Sequence, residues 1–98
     1  MHIDSDVWRM ITGDQMRAAR ALLGIDQREL AQRSGLSLPT IQRMESSDGV
    51  IRGNVDSLVK LVDALGVAGI ELINEGAVSQ GGGRGVRLRG PRTGNGGN

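Results

Sequence analysis

Residues 26–46 read DQRELAQRSGLSLPTIQRMES. Asp26 is placed as a helix N-cap, with Glu29 three residues later as its box partner and Leu30-Ala31 facing inward. Gly35 supplies a tight turn. Ser37 caps a second helix, and Pro39 falls in its first turn, where a missing N–H is no loss. Ile41 and Met44 form the inward stripe of that helix, which leaves Gln42 and Arg43 on its outer face. Two short helices around a glycine turn make a helix-turn-helix.

The same signals extend in both directions. Thr12 is an N-cap with Gln15 at the capping-box position, and GDQMRAARALL follows with Met16, Ala19 and Leu23 on one face. Gly24 ends this helix. After the loop SSDGVIRG, Asn54 caps VDSLVKLVDALG, with Val55, Leu58, Val59, Val62 and Leu65 at helical spacing and Gly66 as its stop. The period then changes. Residues 70–74 alternate Ile70 and Leu72 against Glu71 and Ile73, and residues 86–89 alternate Val86 and Leu88 against Arg87 and Arg89. Both are short strands, joined by a glycine-rich loop over 75–85. Glu71 opposite Arg87 or Arg89 gives a favourable cross-strand pair.

Four segments result: an N-terminal extension over 1–11, a helical domain over 12–67, a hairpin over 68–90 and a disordered tail over 91–98. Trp8 and Ile11 are placed to cap the core, and Met10 is an alternative start to Met1. With one Trp and neither Phe nor Tyr among 98 residues, the core is aliphatic. The absence of Cys removes disulfides and thiol catalysis, and the single His leaves no His-based metal cluster and no Ser-His-Asp set. No cofactor, metal or catalytic residue is expected. No apolar run approaches a membrane span, so the chain reads as soluble and cytoplasmic. The net charge is +1, but the four arginines at 84, 87, 89 and 92 stand in a stretch without an acid.

The stretch RAARALLGIDQRELAQRSGLSLPTIQRMES resembles the Cro/CI-type (XRE-type) helix-turn-helix family. The shared residues are Leu23-Gly24, Gln27, Glu29-Leu30-Ala31, Gly35, and Ile41 followed by Glu45, with ALGV at 64–67. The resemblance implies a mainly helical, four-helix domain that binds double-stranded DNA without catalysis, as a transcription regulator of repressor type. It implies that the helix at about 37–46 lies in the major groove. Gln42 and Arg43 would then read bases, since Gln pairs bidentately with adenine and Arg with guanine. Thr40, Leu38 and Pro39 share that face. Leu38 and Pro39 depart from the polar residues common there, and either meet thymine methyl groups or staple the turn. Gln27, Ser37, Ser46 and Arg52 match phosphate-contacting positions, and Arg17 reaches a flanking phosphate or only solvent. Arg20 and Glu45 match a structural salt bridge between the first and third helices.

Beyond residue 67 the family's fifth, dimer-forming helix is replaced by the strands. The hairpin is then the dimerisation element of a homodimer, or its arginines form a basic arm on DNA. The alternative function on this fold is an antitoxin or adaptor that binds a protein partner.

Overall fold

The structure is a computed structural model that describes residues 11–74 and 83–90. The extension apart from Ile11, the tip of the hairpin loop and the tail, with Trp8, Met10 and Arg92, lie outside the described residues. Four helices, α1 (Gly13–Leu23), α2 (Gln27–Ser34), α3 (Leu38–Glu45) and α4 (Val55–Val67), precede an antiparallel hairpin of β1 (Ile70–Ile73) and β2 (Gly85–Leu88). None of these helices is long and apolar enough to cross a membrane.

Each helix begins where its cap dictates. The side chains of Thr12, Asp26, Ser37 and Asn54 accept the N–H of the residue three further on, which satisfies one of the free donors of the first turn. The box at Thr12 is reciprocal, with Gln15 Oε1 accepting the Thr12 N–H at 2.9 Å. At Asp26 the cap is one-sided. The Glu29 carboxylate turns to Arg33, one helical turn on, at 2.6 Å, so the box expected from the sequence is an i,i+4 ion pair instead. Gly24 and Gly35 end α1 and α2 with φ of 70° and 76°.

The core is aliphatic: Met16 and Ala19 of α1, Leu30 and Ala31 of α2, Ile41 and Met44 of α3, and Leu58, Leu61 and Leu65 of α4, closed by Ile11, Ile51 and Ile70. Helix α4 departs from its sequence reading. Val55 and Val59 are 44 % and 37 % exposed, while Leu61 is fully buried. The helix carries two adjoining apolar arcs, and the leucine arc faces the core. Its stop also lies later. Gly66 is inside the helix, and the chain turns at Gly69, whose φ of 105° is open to glycine and strained for other residues.

Ile51 belongs to a segment that reads as plain loop. A bridge between Thr12 and Val50, with Ile51 N–H donating to Ile11 O and Gly13 N–H to Gly49 O (both 3.0 Å), ties the 46–54 connection to the start of α1. The approach is close enough to need a glycine. A Cβ on Gly13 would lie 2.9 Å from the Glu45 carbonyl oxygen and closer still to that of Ser47.

The hairpin is latched to the helices by a residue already used as a cap. Gln15 Nε2 donates to the carbonyls of Ile73 (3.1 Å) and Gly85 (2.9 Å) and to Asn74 Oδ1 (3.1 Å). Val86 and Leu72 pack on the core from the inner face of the hairpin, and Glu71 pairs with Arg87 on its outer face at 2.7 Å.

Two glycine substitutions test this packing with opposite signs. In an open helix Gly→Ala stabilises by about 0.5–1 kcal/mol, and Gly66→Ala, whose new methyl meets nothing within 4 Å, is expected to do so. Gly13→Ala is expected to destabilise by about 1–3 kcal/mol, the usual range for overpacking against unyielding neighbours. Denaturant midpoints of the two variants against wild type measure both; a stabilised Gly13→Ala contradicts the close approach.

Candidate nucleic-acid interface

Helix α3 has two faces of opposite character. Ile41, Met44 and Glu45 are buried, whereas Ser37, Pro39, Gln42, Arg43 and Ser46 are exposed. The cap organises the front of the helix: Ser37 Oγ accepts the Thr40 N–H at 3.2 Å and donates to Thr40 Oγ1 at 2.9 Å. The Thr40 hydroxyl therefore keeps its own proton for an outside acceptor. Leu38 is half-buried and packs against the core, so it closes the turn, while its neighbour Pro39 faces solvent. At the far end Ser46 Oγ donates to the Arg43 carbonyl at 2.8 Å.

The orientation of α3 is set by Glu45. Its carboxylate accepts a two-pronged bond from Arg20, Nε to Oε2 at 2.5 Å and Nη2 to Oε1 at 2.7 Å, and a third bond from Gln27 Nε2 at 2.7 Å. Arg20 also donates to the Ile25 carbonyl in the turn between α1 and α2, at 3.2 Å. Arg17 pairs with Asp14 and donates to the Glu45 backbone carbonyl. One residue thus joins α1, α2 and α3. Gln27 and Arg17, read from the sequence as phosphate ligands, are both engaged here by the protein. Gln27 keeps one amide N–H for a phosphate, and Arg17 is largely taken up.

The carboxyl of Glu45 feels two opposed influences. Burial pushes its pKa up, but the hydrogen bonds from Arg20 and Gln27, with the charges of Arg20 and Arg17, outweigh burial and hold it below the ordinary glutamate value. The bond to Glu45 likewise raises Arg20, against the desolvation it suffers.

The partners of the other basic residues divide them cleanly. Arg33 and Lys60 pair with Glu29 and Asp56 along their own helices. Arg84 donates to Asn74 Oδ1 at 3.1 Å, Arg87 pairs with Glu71, and Arg89 donates to the Gly66 carbonyl at 3.0 Å. The hairpin arginines within the described residues are therefore bonded into the fold, which does not match a free basic arm. The arginines left without a partner among the described residues are Arg28, Arg43 and Arg52, all exposed. They stand at the second position of α2, on α3 and in the loop after α3. Arg28 was not among the residues read from the sequence. Its signal was present, since residues 24, 25, 31 and 32 supply no acid to pair with it along the helix.

A carboxylate whose pKa is depressed on folding contributes stability that is present above its unfolded value, about 4.3, and lost as pH falls through its folded value. Glu45→Gln is expected to cost about 3 kcal/mol at neutral pH, the low end for breaking a buried pair, because Arg20 is 23 % exposed while Glu45 is 6 % exposed. Thermal melts from pH 7 down to pH 3 are expected to show the gap to wild type narrowing below the ordinary glutamate range. A gap independent of pH would mean that the charge of Glu45 is not what holds the helices.

No curated protein matches the chain. A helix-turn-helix family model of the XRE, or Cro/CI, type matches residues 16–72, from within α1 into β1. Because that match takes in all of α2, α3 and α4 and more than half the chain, the protein belongs to the Cro/CI-type helix-turn-helix family of DNA-binding regulators.

Proposed function

We propose that the protein is a sequence-specific regulator of transcription, of repressor type, that acts as a homodimer with α3 in the major groove of double-stranded DNA. The observation that supports this reading is that, among the described residues, the unpartnered arginines, Arg28, Arg43 and Arg52, all lie in the helix-turn-helix or the loop behind it. Gln42 and Arg43 read bases, and Thr40 and Pro39 complete the face, with Leu38 at its edge. Ser37, Ser46, Arg52, Arg28 and the free amide proton of Gln27 meet phosphates beside the start of α2, whose N–H groups favour an anion. Arg17 contributes little, because Asp14 and the Glu45 carbonyl hold it.

Selection from random duplex oligonucleotides at fixed salt tests the reading. Wild type is expected to enrich one motif. Gln42→Ala and Arg43→Ala should each lose preference at a position of that motif, by about 1–3 kcal/mol of discrimination. Arg28→Ala and Arg52→Ala should weaken binding evenly across sequences and flatten the log K against log salt slope by about 0.9 each. If wild type enriches nothing, the regulator reading fails; if both α3 variants enrich an unchanged motif, α3 is not the reader.

A further inference from the structure

Pro39 and Thr40 stand side by side in the first turn of α3 and present opposite chemistry. Pro39 is exposed and offers only ring carbons, since proline has no N–H and the first turn asks for none. Leu38, the other apolar residue of that turn, packs inward on the core, so Pro39 is the apolar group that the turn presents outward. Thr40 is half-buried. Its Oγ1 accepts from Ser37 Oγ at 2.9 Å, and its N–H donates to the same Ser37 oxygen at 3.2 Å, which leaves the threonine hydroxyl proton for an outside acceptor. The Ser37 cap thus holds an O–H donor next to an apolar ring. Gln42 and Arg43 follow Pro39 by three and four residues, so all three lie along one side of the helix.

We infer that Pro39 and Thr40 form a thymine site, with the proline ring against the C5 methyl and the threonine hydroxyl donating to O4. This rests on the proposed placement of α3 in the major groove and names one base of the sequence it selects. The first turn of a recognition helix is the part that meets base edges. Thymine is the base whose major-groove edge carries a methyl beside an acceptor. Cytosine puts an N4–H donor and a bare C5–H in the same places, and neither purine has an apolar group there. A polar base edge turned to Pro39 would lose water with nothing returned. Thymine loses only the water over its methyl, whose burial is favourable. Residues three or four apart on a helix have Cβ atoms about 5–6 Å apart, and base pairs are stacked at about 3.4 Å. The thymine therefore lies within about two steps of a base read by Gln42 or Arg43.

Duplexes carrying the motif that wild type enriches test the site. A thymine position is expected to lose its preference when the selection is repeated with Pro39→Gly. At that position uracil in place of thymine removes the methyl alone, and wild type is expected to bind about fourfold more weakly, the worth of one buried methyl-sized group. With Pro39→Gly the two duplexes should bind alike. 5-Methylcytosine keeps the methyl and puts an N4–H donor where thymine has O4. Wild type is expected to bind it about fourfold better than cytosine, and still more weakly than thymine. Thr40→Val, which keeps the shape and loses the hydroxyl, should narrow the gap between thymine and 5-methylcytosine. Each result is a ratio between two duplexes on one protein, so a smaller folded fraction in a variant cancels. A wild type indifferent to uracil, a Pro39→Gly that keeps the uracil penalty, or a Thr40→Val that keeps the full gap overturns the inference and leaves the DNA reading standing. A wild type that enriches no motif overturns both.

Discussion

The carboxylate of Glu45 is the point on which the helices depend. Three of them, eight to eleven residues long, are too short to be stable in water alone, so their directions come from contacts with one another. Aliphatic packing is strong but weakly directional, and the core formed by the described residues has no aromatic ring among its members. A planar guanidinium forked onto a carboxylate supplies the missing direction. Arg20 reaches from α1, Gln27 from α2, and Glu45 sits on the last turn of α3 with its carbonyl taken by Arg17. Desolvating this cluster consumes much of what its bonds return. Its contribution is therefore the angle at which α3 leaves the body more than the depth of the fold.

That division explains which parts of the structure the sequence could reveal. Caps act over three residues, so Thr12, Asp26, Ser37 and Asn54 announce their helices locally, and α3 showed its buried and open faces from spacing alone. Helix α4 did not, because its valines and leucines form adjoining arcs and nothing local says which one meets the core. Gly66 looked like a stop for the same reason. A glycine followed by two more residues able to continue a helix is silent about where the turn falls, and only the positive φ at Gly69 decides it. The burial of Ile51 and the need for glycine at position 13 arise from contacts between the start of α1 and the segment after α3. No periodicity carries such a contact. The Arg20–Glu45 pair was legible only through family resemblance, and Glu29 shows the limit of local rules, since two good partners competed for one carboxylate and Arg33 took it.

The hairpin shows how one side chain can serve two scales at once. Gln15 accepts the Thr12 N–H with its oxygen, as a capping residue does, and spends its nitrogen on carbonyls 58 and 70 residues away. A leucine there would remove both the cap bond to the Thr12 N–H and the latch to the hairpin at a site that is 3 % exposed. The glycine-rich, arginine-rich composition of the segment suggested an unattached arm. Composition counts charges, however, and not the acceptors that meet them. Glu71, Asn74 and the last carbonyls of α4 account for the arginines at 87, 84 and 89.

Net charge is for this reason a poor guide to how such a small, nearly neutral domain meets a polyanion. An arginine bonded to a carboxylate within the protein presents little field beyond that carboxylate, and to reach a phosphate it must give up its partner. An arginine with no partner loses only water and its own freedom. Partition of the arginines between the fold and the surface therefore matters more than their number. Arg20 is spent on orienting α3, and Arg33, Arg84, Arg87 and Arg89 on their own helices or on the hairpin. Among the described residues, Arg28, Arg43 and Arg52 are what remain to face outward, one before the turn, one on α3 and one behind it. An overall charge of +1 therefore says little about the local field at the arginines that the fold leaves without a partner.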